Sequence, residues 1–311
     1  MTTERRKRFL FIANPISGTH DKQAIVGAIP GAMARHGAEF DVAWTERAGH
    51  AEELARKAAS EGVDVCVAIG GDGTVNEVGR ALVHTETALG IIPMGSGNGL
   101  ARHLRVPLKP LKALDMVAEA EPLTIDYGII NEHPFFCTCG MGFDAFISDR
   151  FAKAGKRGFV TYAKTTLVDG LSYKAEQYEI SIDDGEREQV DAYVLTAGNA
   201  AQYGNDFFIA PSASVRDGLL SVTILSPFPL YSAAKVLYQM HAGTLERNSH
   251  TRTFNCRHLH VWRKEAGPIH FDGDPVGTTA EVDIRIVAGG LKVISLTPDP
   301  SPIGEGSENF C

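Results

Sequence analysis

A chain of 311 residues is long enough for two domains of about 100–200 residues each, and 44% hydrophobic with 22% charged residues is an ordinary globular composition. The net charge of −8 and an isoelectric point near 5.8 argue against a nucleic-acid partner, which takes a basic face. Cys66, Cys137, Cys139, Cys256 and Cys311 show no repeated spacing, so neither a disulfide framework nor a zinc site is expected and a reducing cytoplasm fits better.

In chain order, Arg5-Arg6-Lys7-Arg8 precedes an apolar run, Phe9 to Ala13, that stops at Asn14-Pro15. That run is too short for a secretion signal and reads as a first strand. A helix is expected from about Asp21, kinked at Pro30 and closed by Gly37. Phe40 to Trp44 is a second strand. His50 to Glu61 is a helix with Ala51, Leu54, Ala55 and Ala58 on one face. Val65 to Ile69 is a third strand, Val75 to Leu82 a helix, Leu89 to Pro93 a fourth strand, and a further helix starts near Leu111. Strands alternating with helices predict an α/β domain with a parallel sheet.

After Pro122, β patterns dominate: Thr124–Ile130, Phe135–Gly140, Tyr178–Ile182, Ala192–Gly198, Leu219–Leu225, Asn255–Trp262 and Glu281–Val287. Asn131–Pro134 and Asp183–Gly185 are turns between them. Two helical stretches, about Arg157–Tyr173 and Leu230–Leu245, interrupt. These patterns predict a mostly antiparallel β-sandwich. The expected division is 1–123 for a nucleotide-binding domain and 124–289 for a substrate domain, with about 290–311 returning to the first. The tail from Pro298 is polar and expected to be disordered. No run of about 18 apolar residues occurs, so a membrane would be met from its surface.

The turn after the third strand reads Gly70-Gly71-Asp72-Gly73-Thr74. Glycines permit φ > 0 and let a ligand approach without a Cβ in the way. Amides at the following helix N-terminus, with its macrodipole, suit a phosphate. Thr74 adds a hydroxyl, and Asp72 a carboxylate to hold a metal ion or take a proton. The chain carries neither a Walker loop nor the G-x-G-x-x-G fingerprint. Turns at Asn14–Gly18 and Gly95–Gly99, and Thr45, follow other strands on the same sheet edge, outside which ligands bind in such folds.

Asn14-Pro15-x-Ser17-Gly18, Thr45 with Gly49-His50-Ala51, Gly70–Glu77 and Gly95–Arg102 are followed by Gly140–Ala145, Ala210-Pro211, Asp217–Leu220 and Asp272-Gly273-Asp274. In this set and order the chain resembles the diacylglycerol kinase catalytic-domain family, which also holds bacterial lipid kinases and sphingosine kinases. The resemblance implies a two-domain lipid kinase, with ATP and a lipid hydroxyl meeting between the domains. It implies that Asn14, Ser17, Gly18, Thr45, Gly70, Gly71, Asp72, Gly73, Thr74, Asn76, Ser96 and Asn98 hold the nucleotide. It makes Asp272, with Asp72, catalytic, Asp272 being the general base; by itself Asp272-Gly273 also reads as a surface hairpin. Asp274 stands where the family usually has glutamate. A Mg²⁺ ion is implied at the Asp217 carboxylate and the carbonyls of Ser214 and Leu219.

The resemblance further implies a diacylglycerol or sphingoid-type substrate at the inner membrane face. Exposed edge strands suggest a homodimer. A soluble-metabolite kinase of the NAD kinase type and a non-catalytic lipid- or nucleotide-binding protein are the competing expectations. His258 and His260 face one side of a strand with no third ligand spaced to help, so surface or interface histidines are expected. Ala233, Val236, Leu237, Met240 and His241 are expected in the core, and with Phe159, Val160, Ala163 and Leu167 offer a path for acyl chains.

Overall fold

The computed structural model describes residues 5–16, 22–154 and 173–295. The chain divides into two compact units, one holding the described residues up to Ile125 and from Gly289 onward, the other Asp126–Ala288.

The first unit is a parallel sheet of β1 (Arg8–Ala13), β2 (Glu39–Trp44), β3 (Val65–Gly70) and β4 (Ala88–Pro93) in the order β2-β1-β3-β4. The end of β14 (Asp274–Ile294) lies parallel beside β4, with Val293 opposite Leu89. β3 and β4 are buried at every position, as strands covered on both faces are. The helices are α1 (Lys22–Arg35), α2 (His50–Ser60), α3 (Asp72–Leu82), α4 (Gly99–His103) and α5 (Pro110–Glu119). α1 is one helix with Pro30, the expected kink position, inside it. Ile25, Ile29, Ala32 and Met33 are buried along it, and this packed stripe carries the helix past a residue with no N–H. α3 starts at Asp72, three residues before the expected Val75, so the helix begins inside the glycine turn.

The second unit is mostly antiparallel. Its strands are β5 (Pro122–Ile130), β6 (His133–Phe135), β7 (Thr138–Gly142), β8 (Glu176–Ile182), β9 (Glu188–Ala192), β10 (Val194–Gly198), β11 (Leu220–Leu225), β12 (Thr251–Cys256), β13 (His258–Phe271) and most of β14. The order β12-β11-β10-β7 leads to the C-terminal end of β13, while the N-terminal half of β13 pairs with β8, which carries β9. Register shifts after Trp262 and Pro268 let β13 serve both groups. Phe135, Cys139, Met141, Tyr178, Ile180, Leu195, Val222 and Leu259 share one buried core between the layers of this sandwich.

Two strands expected to be continuous are broken, each where a carboxylate takes the backbone N–H. Phe135–Gly140 splits into β6 and β7 because the Phe136 and Cys137 amides donate to Asp272. Asn255–Trp262 splits into β12 and β13 at Arg257, whose amide donates to Asp183. A third expected strand, Ala192–Gly198, divides into β9 and β10 at Tyr193, whose amide donates to Leu225 O (2.7 Å).

α6 (Phe143–Ala154) follows β7. Leu230–Leu245 is a 3₁₀ turn (Leu230–Ser232), then α7 (Ala233–His241), then a second 3₁₀ turn (Leu245–Arg247). Only Val236 and Gln239 of α7 are buried, so the expected core role fails for Leu237, which is 50% exposed, and for His241, which is also exposed. The expected helix over 157–172, its four apolar residues and the tail from Pro298 lie outside the described residues. Cys66, Cys137, Cys139 and Cys256 are all buried, and burial pushes the Cys66 and Cys256 thiols up to about 12. No helix among the described residues is long and apolar enough to cross a membrane.

Gly128 lies opposite Phe135 in the β5–β6 register, and a Cβ there would sit 2.0 Å from the Phe135 ring. Gly128→Ala is expected to expel that ring from the core and destabilise the protein by about 1–3 kcal/mol, read from the midpoint of urea unfolding.

Candidate active site

Because β1 to β4 are parallel, their C-terminal ends share one edge, and the residues that follow are stitched together there. The Asn14 amide donates to Ile69 O (3.2 Å), Thr45 N to Ala13 O (2.9 Å) and Met94 N to Gly70 O (2.8 Å). Asn14 Nδ2 donates to Thr74 Oγ1 at 3.1 Å, so two residues sixty apart in sequence meet. Thr45, Thr74 and Asn76 are buried, whereas Ser96 is exposed at its turn. Ser17 and Gly18 lie outside the described residues.

The glycines serve a purpose the sequence does not reveal. A Cβ on Gly95 would stand 2.6 Å from Gly71 Cα, and a Cβ on Gly70 would stand 2.6 Å from Thr74 Oγ1. The two turns thus pack backbone against backbone. None of Gly70, Gly71, Gly73, Gly95, Gly97 and Gly99 has positive φ; the left-handed residue is Asn98 (φ 52). Its side chain closes the turn, Oδ1 accepting from Gly95 N (2.9 Å) and Nδ2 donating to Gly95 O (2.8 Å).

Asp72 holds this second turn against the first. Its Oδ2 accepts from Asn98 N at 2.8 Å and its Oδ1 from Gly99 N at 2.7 Å. Both oxygens of the carboxylate read from sequence as a metal ligand or proton acceptor are therefore engaged by amides. Glu77, which sequence reasoning passed over, does the same for the start of α2, accepting from Gly49 N (2.9 Å) and Ala51 N (3.1 Å). No side chain caps α3, whose first amides open on this edge. An uncapped helix N-terminus beside converging turns suits the phosphates of a nucleotide.

In the second unit, Asp272 adopts φ 47 at the tip between β13 and β14. Its Oδ1 accepts from Cys137 N (2.8 Å) and Thr138 N (3.2 Å), and its Oδ2 from Phe136 N (3.0 Å). The Asp272 amide returns a bond to Thr138 O at 2.8 Å. This is more than a hairpin tip, since three donors fix the orientation of one carboxylate.

Two residues before it, buried His270 donates through Nε2 to Asp144 Oδ2 at 2.9 Å. The same oxygen accepts from Thr196 Oγ1 (2.8 Å) and Tyr203 OH (2.7 Å), while Asp144 Oδ1 takes the Ala145 amide (2.8 Å). A Cβ on Gly140 would come within 3.0 Å of both Asp144 Oδ2 and Thr196 Oγ1, so a glycine is needed beneath the network. The run Gly140–Ala145 signals this place in sequence, but nothing local links Asp144 to His270, 126 residues away.

Around Asp217, the sequence missed Asp126. Asp126 is buried on β5 and its Oδ2 accepts from Gly218 N at 2.7 Å, while Asp217 Oδ1 accepts from Leu219 N at 3.0 Å. Partial burial raises the Asp217 carboxyl above its ordinary range, the Leu219 amide opposes this, and the Asp126 charge raises it further. A strand carboxylate and a loop carboxylate meeting at one turn are the donor chemistry of a hard divalent cation, so the residues present fit Mg²⁺.

Removing one partner of the Asp144–His270 pair leaves the other buried and unsatisfied. Asp144→Ala is expected to cost roughly 3–5 kcal/mol in denaturant unfolding. Asp144→Asn, which keeps an acceptor for Thr196 and Tyr203, is expected to cost less.

Comparison with known proteins agrees with this geometry. Residues 8–130 match the diacylglycerol kinase catalytic domain, and residues 137–295 match the YegS C-terminal NAD kinase beta sandwich-like domain. A diacylglycerol kinase of Mycobacterium tuberculosis is 32% identical over 293 residues, covering 91% of this chain and 93% of that protein. A "Probable lipid kinase YegS-like" of Chromohalobacter salexigens is 31% identical over 251 residues, covering 79% and 80%. The crystal structure of a diacylglycerol kinase from Bacillus anthracis superposes with a TM-score of 0.72 at 19% identity, covering 94% of this chain and 98% of that one. The paired catalytic and sandwich domains, in this order over nearly the whole chain, place it in the diacylglycerol kinase family of the YegS-like type.

Proposed function

We propose that this protein is an ATP- and Mg²⁺-dependent lipid kinase that phosphorylates the hydroxyl of diacylglycerol or a related lipid at a membrane surface. The observation that carries the reading is the interlocked pair of turns, Gly70–Thr74 and Gly95–Gly99, set around an uncapped helix start in a chain of this family.

Bound ATP would supply the γ-phosphoryl group, and Mg²⁺ would neutralise charge on its oxygens. The protein's own contribution is placement. Asn14, Thr45, Thr74, the amides that begin α3, and Ser96 with Asn98 line the nucleotide edge, together with Ser17 and Gly18. Asp72 acts in this reading as a positioning residue: by taking the Asn98 and Gly99 amides it sets the second turn against the first. Asp217 and Asp126, with the carbonyls of Ser214 and Leu219, would hold Mg²⁺ next to the strands of the second unit.

Asp272 is the proposed general base. Three amides aim its carboxylate, the group that in this reading takes the proton of the substrate hydroxyl. The Asp144–His270 network fixes the end of β13 from which Asp272 projects. Asp272→Asn preserves shape and is expected to lower turnover about 10²–10⁴-fold, with ATP affinity unchanged in equilibrium binding. Wild-type turnover in this variant would remove Asp272 from the role of base. A radiolabelled-ATP assay against mixed lipids and against NAD separates lipid kinase from metabolite kinase, and phosphorylation of NAD alone would overturn the proposal.

The membrane contact proposed here is the apolar patch before and on α7. Leu230 is 64%, Tyr231 86%, Leu237 50% and Tyr238 70% exposed, an unusual density of bare apolar side chains. Tyr231→Asp with Tyr238→Asp is expected to reduce vesicle binding in sedimentation and activity on vesicles at least tenfold. Activity on a short-chain soluble lipid would persist.

A further inference from the structure

His258, His260 and Trp262 alternate along β13 and so project from one face. The β13–β14 register sets Asp283 opposite His260 and Glu281 opposite Trp262, which brings two carboxylates onto the same face. A third comes from the β8–β9 turn, where Asp183 and Asp184 adopt φ 49 and 59. The result is a compact group: His258 Nε2 lies 2.5 Å from Asp283 Oδ2, His258 Nδ1 2.9 Å from Asp184 Oδ1, and His260 Nε2 2.8 Å from Glu281 Oε1. Candidate ligand atoms of His258, His260 and Asp283 all lie within 4.8 Å of one another.

From this juxtaposition we propose that His258, His260 and Asp283 form a binding site for one divalent transition-metal ion, of which zinc is the type. Two imidazole nitrogens with one carboxylate oxygen make a borderline-soft set that selects zinc, nickel or copper over magnesium or calcium. Asp184 has the place of an outer-shell partner: by accepting from Nδ1–H it directs Nε2 of His258 toward the ion. Glu281 stands beside His260 and offers one further oxygen. Arg285 Nη1 approaches Asp283 Oδ1 at 3.7 Å and leaves the other oxygen, Oδ2, turned to His258. His260 is braced by stacking on Trp262 at 3.9 Å, and Arg187 covers Trp262 at 3.7 Å. The ligands come from neighbouring strands of a rigid sheet rather than from one flexible loop.

None of these residues belongs to the nucleotide or lipid machinery, so the site is testable apart from catalysis. The untagged full-length protein, stripped by chelator and kept in millimolar Mg²⁺, is titrated with Zn²⁺ by calorimetry and with Co²⁺ by visible absorption. One saturable Zn²⁺ site and the visible bands of four-coordinate Co²⁺ are expected. His258→Ala, His260→Ala and Asp283→Asn should each weaken Zn²⁺ binding at least tenfold, and Asp184→Asn about 10–100-fold. Unchanged far-UV circular dichroism establishes that the variants are folded. Absence of saturable Zn²⁺ binding, or binding that survives intact in the His258→Ala/His260→Ala double variant, would overturn the proposal and leave the cluster as an ion-pair ladder.

Discussion

Carboxylates that accept backbone N–H groups hold this structure together where the sheets cannot. Strands and helices satisfy their own amides, but at turns and strand ends the donors need another partner, and a buried donor without one is costly. Asp72 takes the amides of Asn98 and Gly99, Glu77 those of Gly49 and Ala51, and Asp183 those of Arg257 and His258. Asp272 takes three consecutive amides between β6 and β7. A charge-assisted bond of this kind is shorter and stronger than a neutral one, so each carboxylate both ends a ladder and fixes the loop beyond it.

This constraint links fold to chemistry. Phosphoryl transfer depends on donors already set in place, because reorganisation during the reaction would forfeit their benefit. In the first unit the interlocked Gly71 and Gly95 leave no slack between two turns, and Asp72 and Asn98 lock their relative placement. In the second unit the Asp144–His270–Thr196–Tyr203 network occupies the interior beneath the strand end that presents Asp272. A buried carboxylate that takes a ring nitrogen and two hydroxyls at one oxygen specifies one arrangement and makes alternatives costly. The exposed apolar residues around α7 belong to a different physics, since nothing in the described residues covers them.

Much of the molecule was legible because it is written in local patterns. Strand and helix alternation in the first unit, the β-rich character of the second, and the glycine turns at strand ends all follow from periodicity and punctuation. Errors arose where a long-range partner overrode a local signal. Phe135–Gly140 reads as one strand until Asp272, more than 130 residues on, captures three of its amides. Leu237 has helical spacing but lies on the outward side of a helix buried only at Val236 and Gln239.

The sequence by itself determined the class of fold, the order of the two domains and the family, since composition, period and motif order are properties of the chain alone. Tertiary structure decided which side chains meet. It gave Asp72 to two amides, joined Asp144 to His270, placed Asp126 beside Asp217, and supplied Asp283 to a histidine pair that had no third ligand in sequence. The reason is cross-strand register: it brings distant residues within a few ångströms, and the packing of both sheet faces sets it rather than the spacing along either strand.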